Sequence, residues 1–208
     1  MAIKNYDELN SLELDTLREV GSIGTGNAAT ALSQMLGRAV RIEQPEVRIM
    51  EYNEAIEWIG GPEEITAGVL VKLSGHLTGI MLSVQPLEFV NIVLESVMDK
   101  TVGEYSELTE MEHSALVEVG NIMISTFINA LSGLSGMDIN LTVPAFTVDM
   151  QGAILAVPMA EYGGQSDYIL TIGGNFVSEN KQVPCRLLMS PDLRSLNALL
   201  RKLGVSDG

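Results

Sequence analysis

Apolar and polar positions along this chain follow two alternating periods. Leu17, Val20 and Ile23 recur at helical spacing, as do Leu116, Val119 and Ile122. Each set follows a helix-start signature, Asn10 then Glu13 and Thr109 then Glu112, in which a capping side chain and a Glu three residues later satisfy free backbone N–H groups. Shorter apolar runs predict strands near Val40–Glu51, Ile65–Leu73 and Leu77–Val84, and again near Ile139–Val148, Tyr168–Ile172 and Cys185–Met189. Two amphipathic runs, Leu87–Val97 and Leu193–Leu203, are opened by Pro86 and by Pro191-Asp192, and Pro is tolerated at a first helical position. Each half thus reads as a long helix, strands and a shorter helix. Gly-rich and polar turns between the strands predict antiparallel pairing.

The two halves are related by an offset of 99, since Glu19 falls on Glu118. Gly21, Ala31-Leu32-Ser33, Gly37 and Pro45 fall on Gly120, Ala130-Leu131-Ser132, Gly136 and Pro144 without a gap. Pro86 falls on Pro191 at an offset of 105, so six residues enter between Pro144 and Pro191; Glu161–Ser166 reads as that loop. The expected fold is one α+β domain with pseudo-two-fold internal duplication, in which antiparallel strands accompany two long helices carrying the repeated motif. The repeats span about 8–105 and about 107–208. No Pro/Ser-rich linker separates them, which favours one fused unit over two independent domains.

Composition narrows the function. The 208 residues hold 12 basic and 27 acidic side chains, a formal net charge of -15. Duplex nucleic acid and anionic membrane surfaces need clustered Lys and Arg, so neither is an expected partner. The N-terminus shows no signal peptide, and apolar windows such as Gly79–Gln85 are too short to span a bilayer. Cys185 is the sole cysteine, which suits a reducing compartment. The expectation is a soluble cytoplasmic protein.

Residues at i, i+4 and i+7 share a helix face, so Asp15, Glu19 and Ser22 line up, as do Ser114, Glu118 and Asn121. Such a stripe is ordinarily just a solvated surface. Its repetition, with a distal Pro at equal distance, sets it apart. Asp or Ser, three residues, Glu, two residues, Asn, then 22 residues and Pro resembles the active-site signature of the CheC/CheX/FliY chemotaxis phosphatases. The second copy matches in full at Ser114, Glu118, Asn121 and Pro144; the first matches at Asp15, Glu19 and Pro45 but has Ser22 in place of Asn. Gly-Ser-Ile-Gly-Thr-Gly-Asn-Ala-Ala from Gly21 is similar to another family segment. Two copies in about 200 residues resemble the CheC branch more than CheX, and the chain ends too soon for the extra C-terminal domain of FliY-like proteins.

The resemblance implies hydrolysis of the aspartyl phosphate on a CheY-like response regulator. Asn121 would orient the attacking water, since a carboxamide offers donor and acceptor without titrating. Glu118 would pair with a basic residue beside the phosphorylation site. No cofactor of its own is implied; a divalent metal is expected on the partner regulator. Ser22 is shorter than Asn, so the Glu19/Ser22 pair is expected to be the weaker site. Pro45 and Pro144 read as strand-entry residues with fixed φ rather than as chemistry. Asp149 caps a short helix or, by the resemblance, binds the receptor deamidase CheD. The alternative function is a weakly catalytic or non-catalytic adaptor for CheD or the flagellar switch.

Other signals carry less. Gly24-Thr-Gly26-Asn-Ala-Ala29 matches a loose dinucleotide fingerprint, but that fingerprint follows a strand and this segment continues a helix. Small residues there allow close helix packing. His76, His113 and Cys185 have no zinc-site spacing, no Ser/His/Asp set is supported, and the scattered Met residues read as core filling.

Overall fold

The computed structural model describes residues 5–164, 166–179 and 181–205. Two 26-residue helices, α1 (Ser11–Leu36) and α4 (Glu110–Ser135), both begin in the predicted capping boxes and end at Gly37 and Gly136 with φ of 64° and 66°. Those left-handed ends suit glycine. The first half continues with β1 (Val40–Glu51), α2 (Tyr52–Ile59), β2 (Ile65–Gly75), β3 (Gly79–Gln85) and α3 (Leu87–Met98). After α4, the second half runs through β4 (Ile139–Leu141), β5 (Ala145–Met150), α5 (Gln151–Tyr162), β6 (Tyr168–Ser178), β7 (Lys181–Pro191) and α6 (Leu193–Lys202).

The strands form one antiparallel sheet in the order β1-β6-β7-β3-β2-β4, with β5 also on β2. Exchanging the halves reverses this order and leaves it unchanged. The registers agree as well: Val47 pairs with Ile172 as Phe146 pairs with Val69, and Val40 pairs with Ser178 as Ile139 pairs with Gly75. The predicted strand Ile139–Val148 is therefore a single path broken at Thr142–Pro144, and that break is the counterpart of a bulge in β1 between Glu43 and Glu46.

Helices α1, α3, α4 and α6 cover one face of the sheet, burying Leu17, Leu32, Phe89, Leu116, Phe127 and Leu196 in a single core with β-strand residues. Helices α2 and α5 cover the other face over Met50, Leu82, Ile154 and Leu188. Burial on both faces explains why β3 is buried along its entire length.

Several sequence expectations need correction. Helix α2 was not predicted, and α5 only as the short helix expected after Asp149; neither has a side-chain cap, and Pro158 lies inside α5. β6 runs six residues beyond its predicted end because Gly173 and Gly174, which look like a break, are interior strand positions. α5 reaches Tyr162, so only the end of the Glu161–Ser166 segment is loop, and Gln165 lies outside the described residues. Pro86 and Pro191 both precede their helices, with Pro86 and Asp192 as N-caps. Ile23 is 37% exposed rather than a core contact, and Met111, Met150 and Met159 are exposed as well. α4 is long and apolar enough to cross a bilayer by composition, contrary to the window reading, yet half of that stretch is buried within the fold.

Candidate active site

Helix α4 presents Ser114, Glu118 and Asn121 outward while Leu116, Val119 and Gly120 face the sheet. Helix α1 repeats this with Asp15, Glu19 and Ser22 outward and Leu17, Val20 and Gly21 inward. The glycine between each Glu and its Ser or Asn sets the height of the helix. A Cβ on Gly120 would lie 2.6 Å from Val69 Cβ and Cγ2, and one on Gly21 would lie 2.5 Å from Val47 Cγ2. Only a residue without a side chain allows backbone and sheet to approach so closely. Below Gly120, buried Gln85 donates from Nε2 to the Leu116 carbonyl at 3.0 Å, which ties α4 to the sheet beneath the motif.

The two helices also pack on each other, since a Cβ on Gly24 would lie 2.8 Å from the Phe127 ring. This is the close approach expected of the small residues in Gly24–Ala29. The segment is interior helix, so the dinucleotide reading fails.

Glu19, Ser22, Glu118 and Asn121 form no side-chain hydrogen bond or ion pair among the described residues. Their polar groups are therefore available to a partner without first breaking an internal contact. Asp15 differs: it pairs with Arg18 at 2.7 Å, whereas Ser114 bonds back to the Glu110 carbonyl at 2.9 Å. Each face carries one feature that sequence reading missed. Leu12 (59% exposed) and Met111 (72% exposed) lie one turn before Asp15 and Ser114 on the same face and are themselves 99 apart. The offset contained that signal. A carboxylate between exposed apolar side chains is a surface suited to protein docking.

The prolines lie apart from the helix motif, at the sheet edges. Pro144 enters β5 as expected, two residues before Phe146, which pairs with Val69 under Gly120. Pro45 corrects the expectation: it lies inside β1 at the bulge, after Gln44 with φ of 52°. An edge bulge has no ladder bond for Pro to remove. Asp149 lies on β5 and its Oδ1 accepts from the Met150 N–H at 2.8 Å; Met150, not Asp149, is the N-cap of α5. His113 meets Phe146 in a tilted ring contact with centroids 4.9 Å apart, and Cys185 is buried, its thiol pKa pushed up to about 12 by desolvation. Among the described residues, no three His, Cys, Asp or Glu side chains are grouped to hold a metal ion.

A family model described as the CheC-like family matches twice, at residues 12–49 and 111–148. The chain is 27% identical over 205 residues to "CheY-P phosphatase CheC" of Bacillus subtilis, covering 97% of this chain and 98% of that one. Among solved structures it is similar to Thermotoga maritima FliY, with a TM-score of 0.71, 22% identity and coverage of 95% and 98%. A second likeness is to the CheX-CheY-BeF3-Mg+2 complex of Borrelia burgdorferi, with a TM-score of 0.52, 18% identity and coverage of 86% and 99%. Both structural likenesses bear on the fold.

Proposed function

We propose, from the premise that the chain is a member of the CheC-like family, that it is a phosphatase acting on the aspartyl phosphate of a CheY-like response regulator. The observation that carries this reading is the outward, unengaged Glu118/Asn121 pair, held at a fixed height by Gly120 against Val69. An acyl phosphate is already labile, so catalysis needs positioning more than a strong base. The Asn121 carboxamide accepts a hydrogen bond from water with its oxygen and can donate one with its nitrogen, which aligns the water with phosphorus. Glu118 pairs with a cation on the regulator beside its phosphorylation site. A divalent metal carried by the regulator offsets the phosphoryl charge when bound there. Leu12 and Met111 extend each docking face.

In this reading the second repeat dominates. A Ser hydroxyl ends nearer the helix than a carboxamide, and a displacement of about 1 Å at a reacting group costs on the order of 100-fold. The experiment is loss of label from a radiolabelled phospho-regulator. Asn121→Ala is expected to remove most turnover, Ser22→Ala to do little and Ser22→Asn to raise it. Equal losses from both alanine variants would overturn the asymmetry.

The same reading makes the chain one cytoplasmic domain of two interlocked repeats. The reversed strand order supports this, because each half's edge strand pairs with the other half. An adaptor role for CheD or the flagellar switch is favoured by one observation, the exposed Met150, Val157 and Met159 on and beside α5, next to Asp149.

A further inference from the structure

On the sheet face away from α1 and α4, a cavity of about 390 Å³ opens between the β1 bulge, α2 and strands β6 and β7. Its cation is Arg186. The guanidinium stacks on Trp58, 4.2 Å from the ring centroid, and its Nη1 donates to the carbonyls of Gly174 at 3.0 Å and Cys185 at 3.1 Å. Buried Nε has no hydrogen-bond partner among the described residues. No carboxylate among those residues forms an ion pair with Arg186: Glu46, on the cavity wall, is held by Arg48 at 2.6 Å. Partial burial lowers the Arg186 pKa, and the Glu46 carboxylate nearby opposes that shift only in part, without an ion pair to the guanidinium.

The site is built rather than incidental. A Cβ on Gly173 would lie 2.6 Å from Trp58 Cη2 and 3.3 Å from Arg186 Nη1, so only glycine lets the stack rest on the sheet. At the rim the bulge brings Gln44 to Asn175, whose Nδ2 donates to Gln44 Oε1 at 3.4 Å. The duplication supplies an internal control. Gly173 pairs with Arg186, and the matching pair in the other half is Leu70 with Leu82. Trp58 falls on Val157 at the offset of 99. One half thus fills these positions with aliphatic side chains, so the fold does not require an Arg–Trp–Gly set there.

We propose that this cavity binds a small organic anion, its carboxylate or phosphate group taken by Arg186 and the remainder lying against Pro45, Trp58 and the Gln44/Asn175 amides. Its volume falls within the range of about 300–1,000 Å³ usual for small-molecule sites. Trp58 is the sole tryptophan of the chain, so its fluorescence reports on the cavity without a label. The full chain is titrated with citrate, glucose 6-phosphate and inorganic phosphate, against sodium chloride at matched ionic strength. The expected result is a saturable change with citrate or glucose 6-phosphate, half-complete below about 1 mM, a free energy near 4 kcal/mol. Which of the two wins distinguishes a carboxylate from a phosphate ligand. Arg186→Met is expected to abolish the response and Asn175→Ala to weaken it several-fold. A thermal midpoint raised by the same anion gives an independent readout, and Asn175→Ala decides the matter if Arg186→Met does not fold. The proposal is overturned if no anion gives saturation, if chloride or inorganic phosphate matches the organic anions, if the response persists in a folded Arg186→Met, or if it is undiminished in Asn175→Ala.

Discussion

Gly120→Ala isolates positioning from chemistry, because it leaves Glu118 and Asn121 intact and changes only the distance between α4 and the sheet. The added Cβ would lie 2.6 Å from Val69 Cβ and Cγ2, where ordinary carbon contacts are about 3.5–4.0 Å. The helix must therefore retreat by about 1 Å, since the obstacle includes a Cβ and cannot rotate away. Overpacking of this kind costs about 1–3 kcal/mol. Replacing Gly by Ala in a helix interior returns about 1 kcal/mol. The net loss, about 0–2 kcal/mol, corresponds to a fall in Tm of roughly 0–8 °C for a chain of this size. Catalysis should suffer far more than stability, on the order of 100-fold for a 1 Å misplacement. Two matched variants complete the test. Gly21→Ala is the counterpart in the first repeat, where the added Cβ meets the Val47 Cγ2 methyl at 2.5 Å while Val47 Cβ stays 4.0 Å away, and Gly133→Ala, also in α4, meets nothing within 4 Å. Dephosphorylation rate and Tm are measured for all three. Gly120→Ala should lose most turnover while folded, Gly21→Ala should lose stability but little turnover, and Gly133→Ala should be slightly stabilised and fully active. Full activity in Gly120→Ala would refute the reasoning, and so would an equal loss in Gly21→Ala.

Other outcomes follow from the same geometry. Lys100, 2.6 Å from the Glu112 carboxylate, and the Thr109 bonds of the capping box hold Glu112 down to about 2 from an ordinary 4.5. A depressed folded-state value contributes stability above pH 4.5 that is lost as pH falls toward 2. Glu112→Gln should therefore flatten the acid limb of a denaturant-midpoint profile between those values, and an unchanged slope would contradict the assignment. Phe176 is fully buried in edge-to-face contact with Phe89, centroids 5.0 Å apart, so Phe176→Ala should cost about 3–5 kcal/mol in chemical denaturation. If the chain binds CheD through this segment, Asp149→Lys, at an exposed carboxylate beside Met150, should weaken that capture without altering turnover; undiminished affinity would remove Asp149 as a CheD contact.

The long helices were legible because their signals are local. Caps at Asn10 and Thr109, glycine ends at Gly37 and Gly136, and an apolar stripe between them act within a few residues of chain. Helices α2 and α5 lack side-chain caps; α2 is only eight residues long, and α5 shows little amphipathic period and contains Pro158. Ile23 was misplaced for a related reason: its spacing matches the core stripe, but the sheet beneath α1 reaches Val20 and Gly21 and leaves Ile23 in solvent. The Gly173-Gly174 pair is strand interior because β1 and β7 pair with it, and the absent side chains leave room for Trp58 and Ile42.

Sequence alone determined which side chains share the motif face of each long helix and that the motif occurs twice, because helical period and a fixed offset are properties of one chain read in order. It also marked Ser22 as the place where the copies differ. Tertiary structure decided the rest: that Gly21 and Gly120 set the helix heights, that Leu12 and Met111 flank the motif in solvent, and that Arg186 and Trp58, 128 residues apart, meet over Gly173. Those facts depend on strand order and register, which arise from contacts between residues distant in sequence.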